Sequence, residues 1–186
     1  MADSVEAGKV LMKPVLEQIR AELGEYIYSM DENDDIEDVV VRDLETRHLY
    51  ISCAESFTGG MVTARLINVP RASNVLKESL VTYCDEAKLN RLFVDPETIK
   101  KHTAVSFECA KEMAEGVIRA TGCDVGVATT GYAGPDGEEA GHIFFAVSFR
   151  GKTLVKEMNL EFDRNLVREA ATIRVLALVH QILKDA

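Results

Sequence analysis

The chain is short of basic residues, with 21 Lys and Arg against 31 Asp and Glu and a formal net charge of −10. A protein that grips a phosphate backbone wants a basic face, so this balance argues against nucleic acid as a partner. It leaves room for a small phosphorylated ligand held by one or two local cations. Cysteine pairs are missing: Cys53, Cys84, Cys109 and Cys123 form no C-x-x-C and no metal spacing. Each lies among apolar residues, which predicts reduced core thiols. The four histidines form no H-x-x-x-H, so no metal and no cofactor is expected. There is no signal peptide and no apolar run near 18 residues. The expectation is a cytoplasmic protein that does not enter a membrane. No internal repeat is present.

What is there organises around one stretch. An apolar run, Ile51-Ser52-Cys53-Ala54, gives way to Glu55-Ser56-Phe57-Thr58-Gly59-Gly60. Helical spacing resumes from Met61 to Ile67. This predicts a strand, a turn holding Ser56 and Thr58, and a helix N-terminus whose free N–H groups suit an anion or an oxyanion. Equally, Ser56 or Thr58 can serve only as a helix cap.

Residues 5–30 place Val10, Leu11, Val15, Leu16, Ile19, Leu23, Ile27 and Met30 at helical spacing. Pro14 predicts a late start for the regular helix. The run from Met30 to Asp38 is acidic and reads as a linker. Residues 1–35 therefore form an N-terminal helical extension and acidic linker, and 36–186 an α/β domain. Further elements are a helix over 37–47, strands at 48–54 and Leu80–Tyr83, and a helix over 85–92. A short helix opens at Asp95-Pro96, and a longer one runs from its Ser106 cap to Ala120. A buried strand covers 124–130, and a hairpin over His142–Phe162 turns at Arg150-Gly151-Lys152. The last helix starts near Arg164. This alternation predicts a three-layer α/β/α sandwich around a mixed, mostly parallel sheet.

Three loops that leave strands carry hydroxyls, glycines, Tyr83 and Lys88, and ligands of open α/β sheets bind at strand ends. A hydrolase built from them would use a serine and a lysine, the lysine kept partly neutral by burial. Read alone, Lys88 is a solvated helix residue paired with an acid, and Tyr83 a strand aromatic in the core. The glycine-rich loop Gly131–Gly137 is not a Walker motif, since no Gly-Lys-Ser/Thr follows.

The pieces occur together in one family. Ala54-Glu55-Ser56-Phe57-Thr58-Gly59-Gly60, Val81-Thr82-Tyr83, Glu86-Ala87-Lys88, His102 with Ala104-Val105-Ser106, Thr130-Gly131 with Ala133-Gly134-Pro135-Asp136-Gly137, and Asp163-Arg164 are the residues concerned. In this order the sequence resembles the C-terminal domain of the CinA family, which includes stand-alone nicotinamide-nucleotide amidohydrolases. The likeness covers roughly residues 40 to 185 and leaves the first 35 or so outside it.

The resemblance implies hydrolysis of nicotinamide mononucleotide to nicotinate mononucleotide and ammonia, without a cofactor. It implies catalytic roles for Ser73 as nucleophile, Lys88 as base and Ser56 as relay or oxyanion contact, with the two serine roles exchangeable. Tyr83, Thr130 and Arg164 would bind substrate, Arg164 as a phosphate clamp. Thr58, Gly59, Gly131 and Gly134 complete the expected binding set. Relatives form symmetric assemblies, which implies a homo-oligomer, a dimer first among the options, with the N-terminal helix packed on the body or across the interface. The chain departs from the family at Arg71, Ala72, Asp85 and Phe162 and in a shorter loop after Gly137. These departures keep a second class open, a catalytically silent nucleotide-binding or protein-interaction module. Asp85, three residues before Lys88, is expected to raise the lysine pKa.

Overall fold

A computed structural model of the chain describes residues 4–185. The first three residues of the extension and Ala186 lie outside the described residues. The described residues form seven helices and five strands. They are α1 (Val5–Leu23), α2 (Ile36–Arg47), β1 (Ile51–Glu55), α3 (Met61–Asn68), β2 (Leu76–Val81) and α4 (Asp85–Leu92). Then come α5 (Pro96–His102), α6 (Phe107–Thr121), β3 (Val125–Gly131), β4 (His142–Phe149), β5 (Lys152–Asn159) and α7 (Arg164–Lys184). Among the described residues, no helix is long and apolar enough to cross a membrane.

The sheet order is β2-β1-β3-β4-β5. β1 pairs in parallel with β2 and with β3, and the β4–β5 hairpin continues the sheet antiparallel from β3. Only β4 therefore runs against the rest, which is the mixed, mostly parallel sheet expected.

Alternation along the strands decides what each face carries. Ile51, Cys53, Val125, Val127, Ile143, Phe145 and Val147 point into one apolar layer with α2, α3 and α7. Ala54, Ala128, Phe144 and Ala146 point to the other, against α6 and the end of α4. The second face is lined by small residues, so α6 comes very close to the sheet. A Cβ on Gly126 of β3 would lie 2.2 Å from the Ala114 carbonyl oxygen of α6. A Cβ on Gly116 of α6 would lie 1.9 Å from the Leu92 carbonyl oxygen that ends α4.

Alanine at a solvated mid-helix glycine stabilises by about 1 kcal/mol. Here the contact is backbone to backbone and cannot yield, so Gly116→Ala is expected to destabilise by about 2 kcal/mol. Urea titration checks this, and a variant as stable as the parent would show that α4 does not depend on the contact.

Three sequence expectations need correction. Pro14 sits inside a helix that starts at Val5, with Ser4 as its cap, rather than delaying it. The apolar stripe of α1 was expected to lie against this body or against another subunit, and the body does not cover it. Val10, Leu11, Val15 and Leu23 are all more than half exposed, and the helix packs chiefly on the 3-10 turn at Gly24–Tyr26. The second strand begins at Leu76 rather than Leu80, because an exposed edge strand carrying Lys77, Glu78 and Ser79 shows no apolar pattern. The turn after it leaves Cys84 exposed, unlike the other three cysteines.

Candidate active site

The catalytic candidates are set by the turn that follows β1. Glu55 ends the strand almost fully buried. One of its carboxylate oxygens accepts from the Thr58 hydroxyl at 2.8 Å and from the N–H groups of Gly60 at 2.9 Å and Val62 at 3.1 Å. The other accepts from the Thr63 N–H at 2.9 Å and the Thr63 hydroxyl at 2.7 Å. The cap of α3 is thus a carboxylate reaching forward from the preceding strand, not Ser56 or Thr58. This corrects the anion-site expectation, because the amides of the α3 N-terminus are already spent on Glu55. Arg168 of α7 holds the same turn from outside, donating Nε to the Phe57 carbonyl and Nη2 to the Thr58 carbonyl, each at 3.0 Å.

With the turn fixed at both ends, Ser56 is placed. Its N–H donates to the Thr129 carbonyl of β3 at 3.0 Å. Its Oγ lies 3.3 Å from Nζ of Lys88. Lys88 is one of the largest fully buried side chains in the protein, at 2% exposure. Its amine also donates to the carbonyls of Thr82 at 3.0 Å and Tyr83 at 3.4 Å. Among the described residues no carboxylate pairs with it. The solvated, acid-paired reading of this lysine is therefore overturned.

Burial pushes the Lys88 pKa below its ordinary 10.5. Nearby Cys109, Asp85, Cys84 and Tyr83 push the other way without prevailing. Burial raises the Cys109 thiol to about 12, so it is neutral at pH 7 and does not hold the ammonium. The expected effect of Asp85 is present in direction, but desolvation outweighs it.

Ser56 and Lys88 form the floor of a cleft of about 560 Å³ at the carboxyl ends of β1 and β3. Tyr83, Asp85, Thr130, Gly131, Tyr132, Gly134, Asp136 and Arg164 line it with them. Thr130 donates its hydroxyl to the Ala104 carbonyl at 2.6 Å, tying β3 to the loop before α6. Arg164 donates to the Gly134 carbonyl at 2.8 Å and to the Tyr83 hydroxyl at 3.4 Å. Tyr83 is not a core strand residue: it stands 63% exposed on the turn after β2.

Three expected site residues are placed elsewhere. Thr58 is fully buried beneath the turn, bonded to Glu55 and, at 2.7 Å, to the Thr129 hydroxyl. Gly59 faces Arg168. Ser73 is exposed in the 3-10 turn Ala72–Asn74 that precedes β2, beside Ile67, Pro70 and Leu76. β2 runs parallel to β1, so a residue before β2 and a residue after β1 occupy opposite ends of the sheet. Six residues at about 3.3 Å each put these ends ~20 Å apart. Within one chain Ser73 does not meet Lys88, and Ser56 is the serine that lies beside its amine. Sequence reasoning gave no role to Glu55, Arg168, Tyr132 or Asp136. The first of these had a signal, a carboxylate closing an apolar strand just before a glycine pair.

Comparison with known proteins agrees with this architecture. The CinA C-terminal domain family matches residues 33–183. A CinA-like protein of Dictyoglomus thermophilum is 44% identical over 179 residues, covering 94% of this chain and 43% of the relative. A CinA-like protein of Kosmotoga olearia is 41% identical over 186 residues, covering 98% of this chain and 45% of the relative. The chain thus spans less than half the length of these curated relatives, and their likeness reaches into the N-terminal extension. A crystal structure of a CinA superfamily protein from Klebsiella pneumoniae superposes with a TM-score of 0.78 at 35% identity, covering 81% of this chain and 97% of that one. One from Escherichia coli gives 0.76 at 28% identity, covering 86% and 98%. A family match over most of the chain, identities above 40% and a shared fold together establish that this chain belongs to the CinA family through its C-terminal domain.

Proposed function

We propose that the chain is an amidohydrolase that cleaves the carboxamide of nicotinamide mononucleotide. The observation that carries this reading is a buried lysine, without a carboxylate partner among the described residues, whose amine lies 3.3 Å from a serine hydroxyl at the floor of a cleft. A desolvated lysine is a base near neutral pH, and that is what a serine needs to become a nucleophile. The choice of substrate draws on the family resemblance together with Arg164 at the cleft wall, whose guanidinium suits a phosphate.

In the proposed reaction neutral Lys88 takes the Ser56 proton as Oγ bonds to the amide carbon. The carbonyl π pair moves to oxygen and gives a tetrahedral oxyanion. When the C–N bond breaks, Lys88 returns the proton to the departing nitrogen and ammonia leaves. Water then cleaves the acyl-serine, with Lys88 first as base and then as donor to Ser56. The oxyanion cannot draw on the α3 amides that Glu55 holds. Phe57, the residue after Ser56, lines the cleft, and its N–H donates to no protein acceptor among the described residues. It is the oxyanion donor in this scheme.

The test is ammonia release from nicotinamide mononucleotide, with chromatographic detection of nicotinate mononucleotide. Turnover of ~1 per second or faster is expected. A folded protein that releases neither product at millimolar substrate overturns the reading.

A further inference from the structure

The turn that carries Ser56 lies between two opposite charges. Glu55 takes its amides, and Arg168 takes its carbonyls. The carbonyls of Ser56, Phe57 and Thr58 are held one after another. The Gly59 N–H donates to the first at 3.0 Å, and Arg168 donates Nε to the second and Nη2 to the third, each at 3.0 Å. Carbonyls on the outside of a turn ordinarily go to water. Here one planar guanidinium holds two of them at a set separation and ties both to α7. Its remaining bond goes to the Asn165 side-chain oxygen at 3.4 Å, so all its partners among the described residues are uncharged.

The peptide before these carbonyls bears on the chemistry. In a trans peptide the N–H points opposite to the C=O. The Ser56 carbonyl closes the turn onto Gly59, so the Phe57 N–H leaves the turn on the other side. Phe57 lines the cleft together with Ser56, and Arg168 does not line it. One short turn therefore sets both where the Ser56 hydroxyl stands and where the Phe57 N–H aims.

We propose that Arg168 is a positioning residue: by pinning the Phe57 and Thr58 carbonyls it keeps the Ser56 hydroxyl and the Phe57 N–H in register with one reacting centre, without touching the ligand. Its effect on kcat rests on the amide-hydrolysis reading, whereas its effect on the reactivity of Ser56 rests on the turn alone. An arginine that joins a helix to a turn also stabilises a fold. That role lowers the melting temperature and leaves the reactivity of each folded molecule as it was.

The experiment compares the unaltered protein with Arg168→Gln and Arg168→Lys below their melting temperatures, in two assays. One is ammonia release from nicotinamide mononucleotide. The other is modification of Ser56 by a fluorophosphonate, located and timed by mass spectrometry. There Oγ bonds to phosphorus, the P–F bond breaks and fluoride leaves, while Lys88 takes the serine proton and passes it to water. The phosphoryl oxygen meets the same N–H donor as a carbonyl oxygen would. Arg168→Gln is expected to lower kcat about 10²-fold with KM changed less than about threefold, and to slow Ser56 modification by a similar factor. Arg168→Lys keeps the charge but not the fork, and is expected to lose only about tenfold in both assays. Parental kcat and parental Ser56 modification in folded Arg168→Gln, or a loss confined to KM, would overturn the inference. If the glutamine variant does not fold, parental rates in Arg168→Lys would overturn it, as would an unaltered protein whose Ser56 is not modified at all. Ser56 modification that slows in the variants, with no ammonia released by the unaltered protein, would overturn the hydrolysis reading and leave this one standing.

Discussion

Replacing Lys88 with methionine is expected to lower kcat for ammonia release by at least ~10³-fold while raising the melting temperature at pH 6. The two changes share one cause. The amine is nearly excluded from water, and no carboxylate among the described residues pairs with it. A methionine of similar length fills the space without that penalty, and the Thr82 and Tyr83 carbonyls can turn to cleft water. A gain of about 1 kcal/mol would raise Tm by about 3 °C in a chain of this size. The pH dependence has a definite sign. The unfolded chain keeps the lysine proton up to about its ordinary 10.5, whereas the folded chain releases it at lower pH. Between those two values the unfolded state binds more protons, so wild-type stability rises with pH. The advantage of Lys88→Met should therefore be largest in acid and should narrow toward pH 10.5. Ser56→Ala should abolish turnover as fully, and the double variant should be little worse than either, because the two groups act as a unit. Wild-type turnover in either single variant removes the dyad, and an advantage that widens with pH removes the buried-amine argument.

The second large effect is on the fold. Glu55→Ala should destabilise the protein by about 4 kcal/mol. The carboxylate accepts from Thr58, Gly60, Val62 and both donors of Thr63, and an alanine leaves all of these facing a void. Glu55→Gln should lie between, because its carbonyl oxygen still accepts while its NH₂ group faces donors. Urea denaturation reads the change as a lower midpoint at an unchanged slope. A loss below about 1 kcal/mol for Glu55→Ala would mean that water replaces the carboxylate and that Glu55 does not set the turn. Ser56 is the next residue, so kcat of the glutamine variant should fall more than its KM rises.

The layers of this fold were legible because buried elements carry periodic patterns. α7, from Arg164 to Lys184, repeats its buried residues at helical spacing, and β3, from Val125 to Gly131, is legible instead as a run buried at every residue but its last. The first half of β2 was not legible, since an edge strand with wet side chains has no apolar rhythm. The stripe of α1 was legible as a stripe, but nothing in a single sequence says what covers it. Ser56 and Lys88 are 32 residues apart, and no spacing rule joins them; strand-end placement suggested a serine–lysine pair, and the family resemblance named these two. That resemblance gave Ser73 a part in the same site, and the parallel pairing of β1 and β2 shows why one chain cannot meet that requirement. Glu55 was visible as a residue but not as a cap, because its five contacts all come from residues between Thr58 and Thr63 that carry no mark of needing an acceptor.

The two glycine contacts of α6 bear on protein engineering. Ser56 hangs from β3 through its N–H, β3 touches α6 at Gly126, and α6 touches α4 at Gly116. The reach from serine to lysine is therefore set by a stack of bare main chains rather than by side-chain packing. Grafting the serine and the lysine onto another α/β scaffold would carry over the chemistry without the ruler that spaces it. The two glycines, and the thin layer they allow, would have to travel with the pair.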